Sequence, residues 1–335
     1  YTGDGSASTR SFTGMGFQPD FIWKKKRSGA DHHWLHDAVR GATKGLNSNR
    51  VDTEYTSNRL TSFDSDGFSF ATSDPDTNGS GATYVAWAWK GGNSSGSSNT
   101  DGATSSTVSA NQTAGFSVVT YTGTGSATTV GHGLGAVPQF IAIKSRTYVE
   151  SWGVYPGTSM GYGGQYRLKL NEISSVAAQS GFWNNTDATS SVFSLGTELK
   201  VNKSGEDHVA YCWAEVEGFS KFGSYTGNGS ADGSFIYTGF RPAWIMIKSA
   251  SAGRNWAIWD NVRGHASSIG AGNNPNTTTL FANSNGTETH NAGYAVDFTA
   301  NGFKTRGQGG ELNTTNEKMM FMAFAEDPFK YSEAE

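Results

Sequence analysis

The chain has 335 residues, of which 36% are hydrophobic, 13% aromatic and 16% charged, and its formal net charge is −4. Its 44 glycines and 10 tryptophans, set among many Ser, Thr and Asn, read as strands joined by turns and not as disorder, which is poor in aromatics. One cysteine, Cys212, excludes an intrachain disulfide, no run approaches the ~20 apolar residues of a membrane helix, and the lack of a basic excess argues against a nucleic-acid surface.

In chain order, the first element is "YTGDGSA" from Tyr1, with no Met and no signal peptide before it. The chain is therefore expected to be processed or incomplete at its start. "PDFIWKK" from Pro19 is dense in aromatic and β-branched residues and reads as a strand. Its positive end, Lys24-Lys25-Lys26-Arg27, is expected to meet solvent. "HWLHDAVRG" (33–41) alternates aromatic and aliphatic residues, again a strand pattern, and then turns. "FDSDGFSF" (63–70) is a hairpin, and "YVAWAW" (84–89) closes the unit. Residues 91–114 are rich in Gly, Ser and Thr and are expected to be a linker.

The same order then recurs twice. "YTGTGSA" at 121 and "YTGNGSA" at 225 repeat the opening, at offsets of 120 and 104 residues. "PQFIAIK" from Pro138 and "PAWIMIK" from Pro242 repeat the second block, each with Lys six residues after Pro. "VFSLG" (192–196) echoes the hairpin faintly and "FTANGFKT" (298–305) clearly. "HVAYCW" (208–213) and "FMAFAE" (321–326) repeat the closing block. Units of about 100 residues exceed the ~40–45 residues of a propeller blade and fit small sandwiches. The expected fold is all-β: three tandem antiparallel β-sandwich-like modules with long Gly/Ser/Asn-rich loops. They span 1–90, 115–217 and 218–335, the last with a C-terminal tail. A strand precedes the Tyr in units two ("GFSVV") and three ("GFSKFGS"). Unit one opens at Tyr1, so its first strand is expected to lie upstream or to come from another chain.

The stretch "DHHWLHDAVRG" (31–41) has the look of a metal or catalytic site. Aligned between units, however, His33 matches Trp152 and Trp256, and His36 matches Tyr155 and Trp259. The module needs a flat ring there, not an imidazole. Neighbours on a strand face opposite sides, so His32 and His33 do not readily share a metal. Asp37 and Arg40 recur as Asp260 and Arg263, whereas unit two carries Pro156 in place of the Asp. The Asp is expected to fix a turn by accepting backbone N–H bonds, with the Arg paired to it. The alternative is a sugar- or carboxylate-binding pair beside Trp or His. Candidate ligand-binding residues are Trp34, His36, Asp37, Arg40, Tyr155, Trp259, Asp260 and Arg263. No catalytic residue, metal or cofactor is expected. "DSDG" lacks the later ligands of a calcium loop, "GHGLG" lacks the Lys of a phosphate loop, and no partner set recurs beside Glu215 and Glu217. Cys212 sits in an apolar run and is expected to be buried and inert.

The linker with its following strands, "NTDGATSSTVSANQTAGFSVVTYTGTGSATTVGHGLGAVPQFIAIK", resembles a repeat module of tail-fibre-like virion proteins of marine bacteriophages, cyanophages and pelagiphages. So do "GFQPDFIWKKKRSGADHHWLHDAVRGATKGLNSN" and the ending "FMAFAEDPFKYSEAE". The resemblance covers nearly the whole chain. It implies a structural or adhesion protein on the virion surface, at the tail or the capsid exterior. The implied partners are further copies of itself in a homotrimer, other virion proteins and a host-surface glycan, with no nucleic acid and no membrane insertion. No catalytic residues come with it. A glycan depolymerase with a site between modules, and a decoration protein without a ligand, are the alternatives.

Overall fold

The structure is a computed structural model describing residues 1–92, 95–264 and 274–327. The expected C-terminal tail, from residue 328 on, lies outside the described residues. The described chain is all-β, with only one-turn helices between strands. Unit one contributes β1 (Arg10–Phe12), β2 (Phe21–Lys26), β3 (Trp34–Asp37), β4 (Lys44–Leu46), β5 (Tyr55–Thr56), β6 (Ser62–Asp64), β7 (Gly67–Phe70) and β8 (Tyr84–Trp89). Unit two contributes β9 (Ser97–Asn99), β10 (Ser106–Asn111), β11 (Phe116–Thr122), β12 (Thr128–Gly131), β13 (Pro138–Ser145), β14 (Gly153–Pro156), β15 (Tyr166–Arg167), β16 (Ala177–Ala178), β17 (Val192–Leu195) and β18 (Asp207–Ala214). Unit three contributes β19 (Ser220–Thr226), β20 (Phe235–Tyr237), β21 (Pro242–Ser249), β22 (Ala257–Asp260), β23 (Thr278–Phe281), β24 (Thr289–His290), β25 (Val296–Thr299), β26 (Gly302–Thr305) and β27 (Lys318–Ala325).

Each unit has one large antiparallel sheet and a small one against it, and unit two adds the two-stranded β15-β16. The large sheets run β5-β4-β3-β2-β8, β14-β13-β18-β11-β10-β9 and β19-β27-β21-β22-β23-β24. The Pro-led strands β2, β13 and β21 are central, each between a strand of the "HWLHD" type and a closing strand. Register repeats too: Phe21 faces Trp89, Phe140 faces Trp213 and Trp244 faces Phe324. The small sheets, β1-β7-β6, β12-β17 and β20-β26-β25, cover the outer faces.

The segment 91–114, expected to be a linker, carries β9 and β10 in the sheet of unit two. Val108 and Ala110 of β10 turn onto that unit's core, and the Ser106 hydroxyl donates to the Gly131 carbonyl at 2.9 Å. A Ser/Thr-rich run can form a strand when its few apolar residues share one face and its hydroxyls find partners.

The Pro-led strands bury both faces, as their sequences predict. Phe21, Phe140 and Trp244 enter one cluster shared by all three units, with Trp89, Trp213 and Phe324. Ile22, Ile141 and Ile245 point the opposite way, each into its own unit's core. The three large sheets therefore turn their inner faces onto a common core.

That core is closed by a ring of equivalent hydrogen bonds. Trp152 of unit two donates its indole N–H to the Asn47 carbonyl of unit one at 2.9 Å. Trp256 of unit three donates to the Lys169 carbonyl of unit two at 3.0 Å. His33 of unit one bonds the Phe281 carbonyl of unit three through Nε2 at 3.0 Å. Trp23 donates to His33 Nδ1 at 2.8 Å, so Nε2 carries the proton. Burial, with Lys25 nearby, keeps the His33 pKa well below its ordinary value, and the ring stays neutral. The backbone N–H of each ring residue is held by an Asn side chain: Asn49, Asn171 or Asn283.

The opening motif also has a single physical role. Its Tyr hydroxyl donates to a backbone carbonyl, that of Thr77, Val201 or Leu312. The loop after it wraps a fully buried Asn, namely Asn78, Asn202 or Asn313, whose side chain bonds the backbone from both sides. A Cβ on the first glycine, Gly3, Gly123 or Gly227, would lie within 2.3 Å of a carbonyl oxygen. The second, Gly5, Gly125 or Gly229, sits at φ between +65° and +72°, which suits only glycine well.

Candidate functional site

The recurring Asp–Arg pairs lie where one unit meets the next. Asp37 accepts the Arg40 backbone N–H at 2.8 Å and pairs with its guanidinium. Arg40 also donates to the Leu35 carbonyl at 3.1 Å, to Glu54 at 3.0 Å and to the Tyr211 hydroxyl of unit two at 2.9 Å. Tyr211 donates in turn to Asp37 at 2.7 Å, and Arg146 of unit two holds Glu54. Asp260 and Arg263 repeat the arrangement toward unit one. There the Trp87 indole donates to Asp260 at 2.9 Å, and Glu288 bridges Arg263 and Arg27.

Between units two and three the same positions are apolar. Pro156 replaces the Asp, Met322 stands where Tyr211 and Trp87 stand, and Val176 and Ala250 replace the Glu–Arg bridge. Pro156 and Met322 line one small void there. The backbone bond across each junction survives: Glu54, Val176 and Glu288 donate to the carbonyls of Arg146, Ala250 and Arg27 at 2.8, 3.1 and 3.1 Å. Burial pushes the Asp260, Glu54 and Glu288 carboxyls up, but their arginine partners outweigh it and hold each below its ordinary pKa.

All eight sequence candidates are buried. Trp34 lies under the Arg59 guanidinium at 4.1 Å and donates to Asp76 at 3.2 Å. His36 bonds the Ala42 carbonyl through Nδ1, the Tyr155 hydroxyl accepts the Ala188 N–H, and the Trp259 indole donates to the Tyr294 carbonyl. Asp37, Arg40, Asp260 and Arg263 are spent on the junctions. The structure thus brings these four residues together as turn and junction. Among the described residues no three His, Cys, Asp or Glu side chains converge as a metal-holding group. Two voids lined by residues of the shared core are about 10 Å³ each, room for about one water.

The open surface of unit three offers more. Phe235 and Tyr237 flank buried Ile236 on β20 and are 47% and 64% exposed. Register equates Ile236 with Phe12 and Val130, since each faces the equivalent Phe of its hairpin partner. The flanking positions are then Ser11 and Thr13 in unit one, and Thr129 and Gly131 in unit two. Two sister units fold with small residues there, so the fold does not require the aromatics. Beside them runs an open groove of about 460 Å³, lined also by Ser159, Ser224, Glu215 and Lys221. The Glu215 carboxylate receives the Lys221 ammonium and the Phe222 backbone N–H. The sequence reading missed this aromatic pair. Its signal was "SFIYTGFRP" standing against "RSFTGMGFQP" in the same block.

The architecture is thus that of an all-β repeat protein whose three sandwich-like units close around one core. The chain belongs to the family described as a domain of unknown function (DUF7483), whose model matches residues 1–328. No curated protein and no solved structure matches it.

Proposed function

We propose that the chain is a structural and adhesive building block of a virion exterior, of tail-fibre type, and that the unit-three groove meets host-surface glycans. The observation that carries this reading is the exposed pair Phe235 and Tyr237. Large exposed aromatics beside polar groups mark binding surfaces. An aromatic face covers the C–H face of a sugar, while Ser159, Ser224, Glu215 and Lys221 are placed around the groove to meet hydroxyls. The resemblance in sequence supports the virion assignment, and the fusion of three units around one core supports a rigid mechanical role. The threefold arrangement is internal to one chain, so the homotrimer that the resemblance implies would form through outer surfaces.

Tyr237→Ala tests the groove. On a glycan array or on host cells it is expected to weaken binding about tenfold or more, the equivalent of roughly 1.4 kcal/mol. Its melting temperature should match the parent's, because the side chain is solvent-facing. Unchanged binding removes the groove from the proposal. Release of reducing ends from a bound glycan would make the protein an enzyme instead.

A further inference from the structure

The unit-three groove lies where unit two places a strand. In unit two, β10 runs along the outer edge of β11, with Asn111, Ser109 and Thr107 facing Phe116, Val118 and Thr120. Its Ser106 hydroxyl reaches across to the Gly131 carbonyl of β12. β10 thus fills the space between β11 and β12. The unit-three equivalents of those two strands are β19 and β20. Residues 215–219 join β18 directly to β19, with no strand between them. Among the described residues β19 is an edge strand whose neighbour is β27. The groove beside Phe235 and Tyr237 is that slot, left open.

The bonds to β27 fix which main-chain groups face it. The Ala325 N–H donates to the Phe219 carbonyl, and the Gly227 N–H to the Glu317 carbonyl. Alternation then turns Lys221, Gly223 and Tyr225 toward β27, and Ser220, Phe222 and Ser224 outward. The Ser220 N–H is taken by the Val216 carbonyl at 2.9 Å, and the Phe222 N–H by the Glu215 carboxylate at 3.2 Å. The N–H and C=O of Ser224, the equivalent of Thr120, are turned to the groove, which Ser224 and Ser159 line.

Two features disfavour a second β10 in this slot. With Ser220 and Phe222 already engaged, the edge offers the groove the paired N–H and C=O of a single residue, too little to hold a strand. Tyr237 also stands where unit two has Gly131, and a Cβ at Gly131 would collide with the Asn99 side chain of β9. The slot suits a compact ligand. Glu215 and Lys221 are the charged residues of its lining, and they pair with each other. A ligand carboxylate or sulfate would lose water there without gaining a cation of its own.

We propose, resting on the reading of this groove as a glycan site, that it takes a neutral sugar held on the main chain of Ser224. One sugar hydroxyl accepts from the N–H, its neighbour donates to the C=O, and the ring lies against Phe235 and Tyr237.

The test titrates the intact chain with neutral cello-, malto- and manno-oligosaccharides and with oligouronates of galacturonic and mannuronic acid. The peptide STVSAN, a copy of Ser106–Asn111, is a third arm. The expected result is a neutral sugar bound about tenfold or more tighter than any oligouronate, with an affinity that salt does not change. Saturation with it should slow exchange at the Ser224 amide on the order of tenfold. The Phe222 amide, held by Glu215, is the internal standard and should not change. An oligouronate bound as tightly as any neutral sugar, or a bound sugar that leaves Ser224 exchange unmoved, would overturn the inference. If Tyr237→Ala abolishes that same binding, the glycan reading of the groove survives the loss. Absence of binding by every sugar removes both. Binding of the peptide with protection of Ser224 overturns the inference in favour of a strand acceptor.

Discussion

Arg40→Ala is expected to cost about 3–5 kcal/mol and to lower the melting temperature by roughly 4–7 °C. Arg40 is buried, and its guanidinium satisfies Asp37, Glu54, the Leu35 carbonyl and the Tyr211 hydroxyl together. Removing it leaves the buried Asp37 carboxylate without a cation, and an uncompensated buried charge is far more expensive than the absence of the pair. The junction between units two and three is the internal control, because it holds without any of these charges. Replacing four of the set at the first junction with their apolar counterparts and Arg40 with Ala (Asp37→Pro, Arg40→Ala, Glu54→Val, Arg146→Ala and Tyr211→Met) should therefore cost less than Arg40→Ala alone. Thermal melts of the two variants decide it. A fivefold variant less stable than the single one would mean that the network contributes net stability, not specificity between junctions.

The protein is expected to become more stable between pH 7 and about pH 9, where many proteins do not. Burial pulls Lys24 and Lys248 down to about 7, and Lys25 and Lys144 to about 8, from an ordinary 10.5. The last three are the Lys that recurs six residues after Pro. Above these values the native lysines are neutral while the unfolded chain still holds the protons. Stability then rises with pH, by about 1.4 kcal/mol per pH unit for each proton so released. Buried phenols work against this at higher pH. Burial raises the pKa of Tyr121, Tyr211 and Tyr225, so the native state keeps protons that the unfolded chain loses, and stability falls above about pH 10. At the acid end, Asp260, Glu54 and Glu288 are depressed. Their contribution is present above the ordinary carboxylate range and is lost as pH falls through the lowered values. Melting curves at pH 5, 7 and 9 are the measurement. A lower melting temperature at pH 9 than at pH 7 contradicts the direction assigned to the lysines.

Much of the fold was legible in the sequence. The "YTGxGSA" and Pro-led blocks are long enough to be matched by eye, and Phe-Ile or Trp-Ile neighbours on a strand must face opposite sides. Which unit faces which was not legible. The ring bonds end on the carbonyls of Asn47, Lys169 and Phe281, and a backbone acceptor imposes no side chain on its residue. The match of Asp37 with Tyr211, Asp260 with Trp87 and Pro156 with Met322 is present in the sequence. It has meaning only once unit one is known to meet unit two, and unit three to meet unit one. The run Lys24-Lys25-Lys26-Arg27 has the sequence of a strand end that meets solvent. Lys24 and Lys25 are buried, because their ammonium groups reach backbone carbonyls: Arg59's for Lys24, and those of Lys26 and Gly29 for Lys25. The "DHHWLHDAVRG" stretch drew attention for its polar residues, and those residues are polar because two of the three junctions are.

The central claim is that three repeats make one folding unit, since each large sheet would expose its inner apolar face without the other two. Differential scanning calorimetry of the intact chain tests this most directly. The account predicts a single transition whose calorimetric enthalpy equals its van't Hoff enthalpy. Two or three separable transitions, each with the enthalpy expected for about 100 residues, would contradict it.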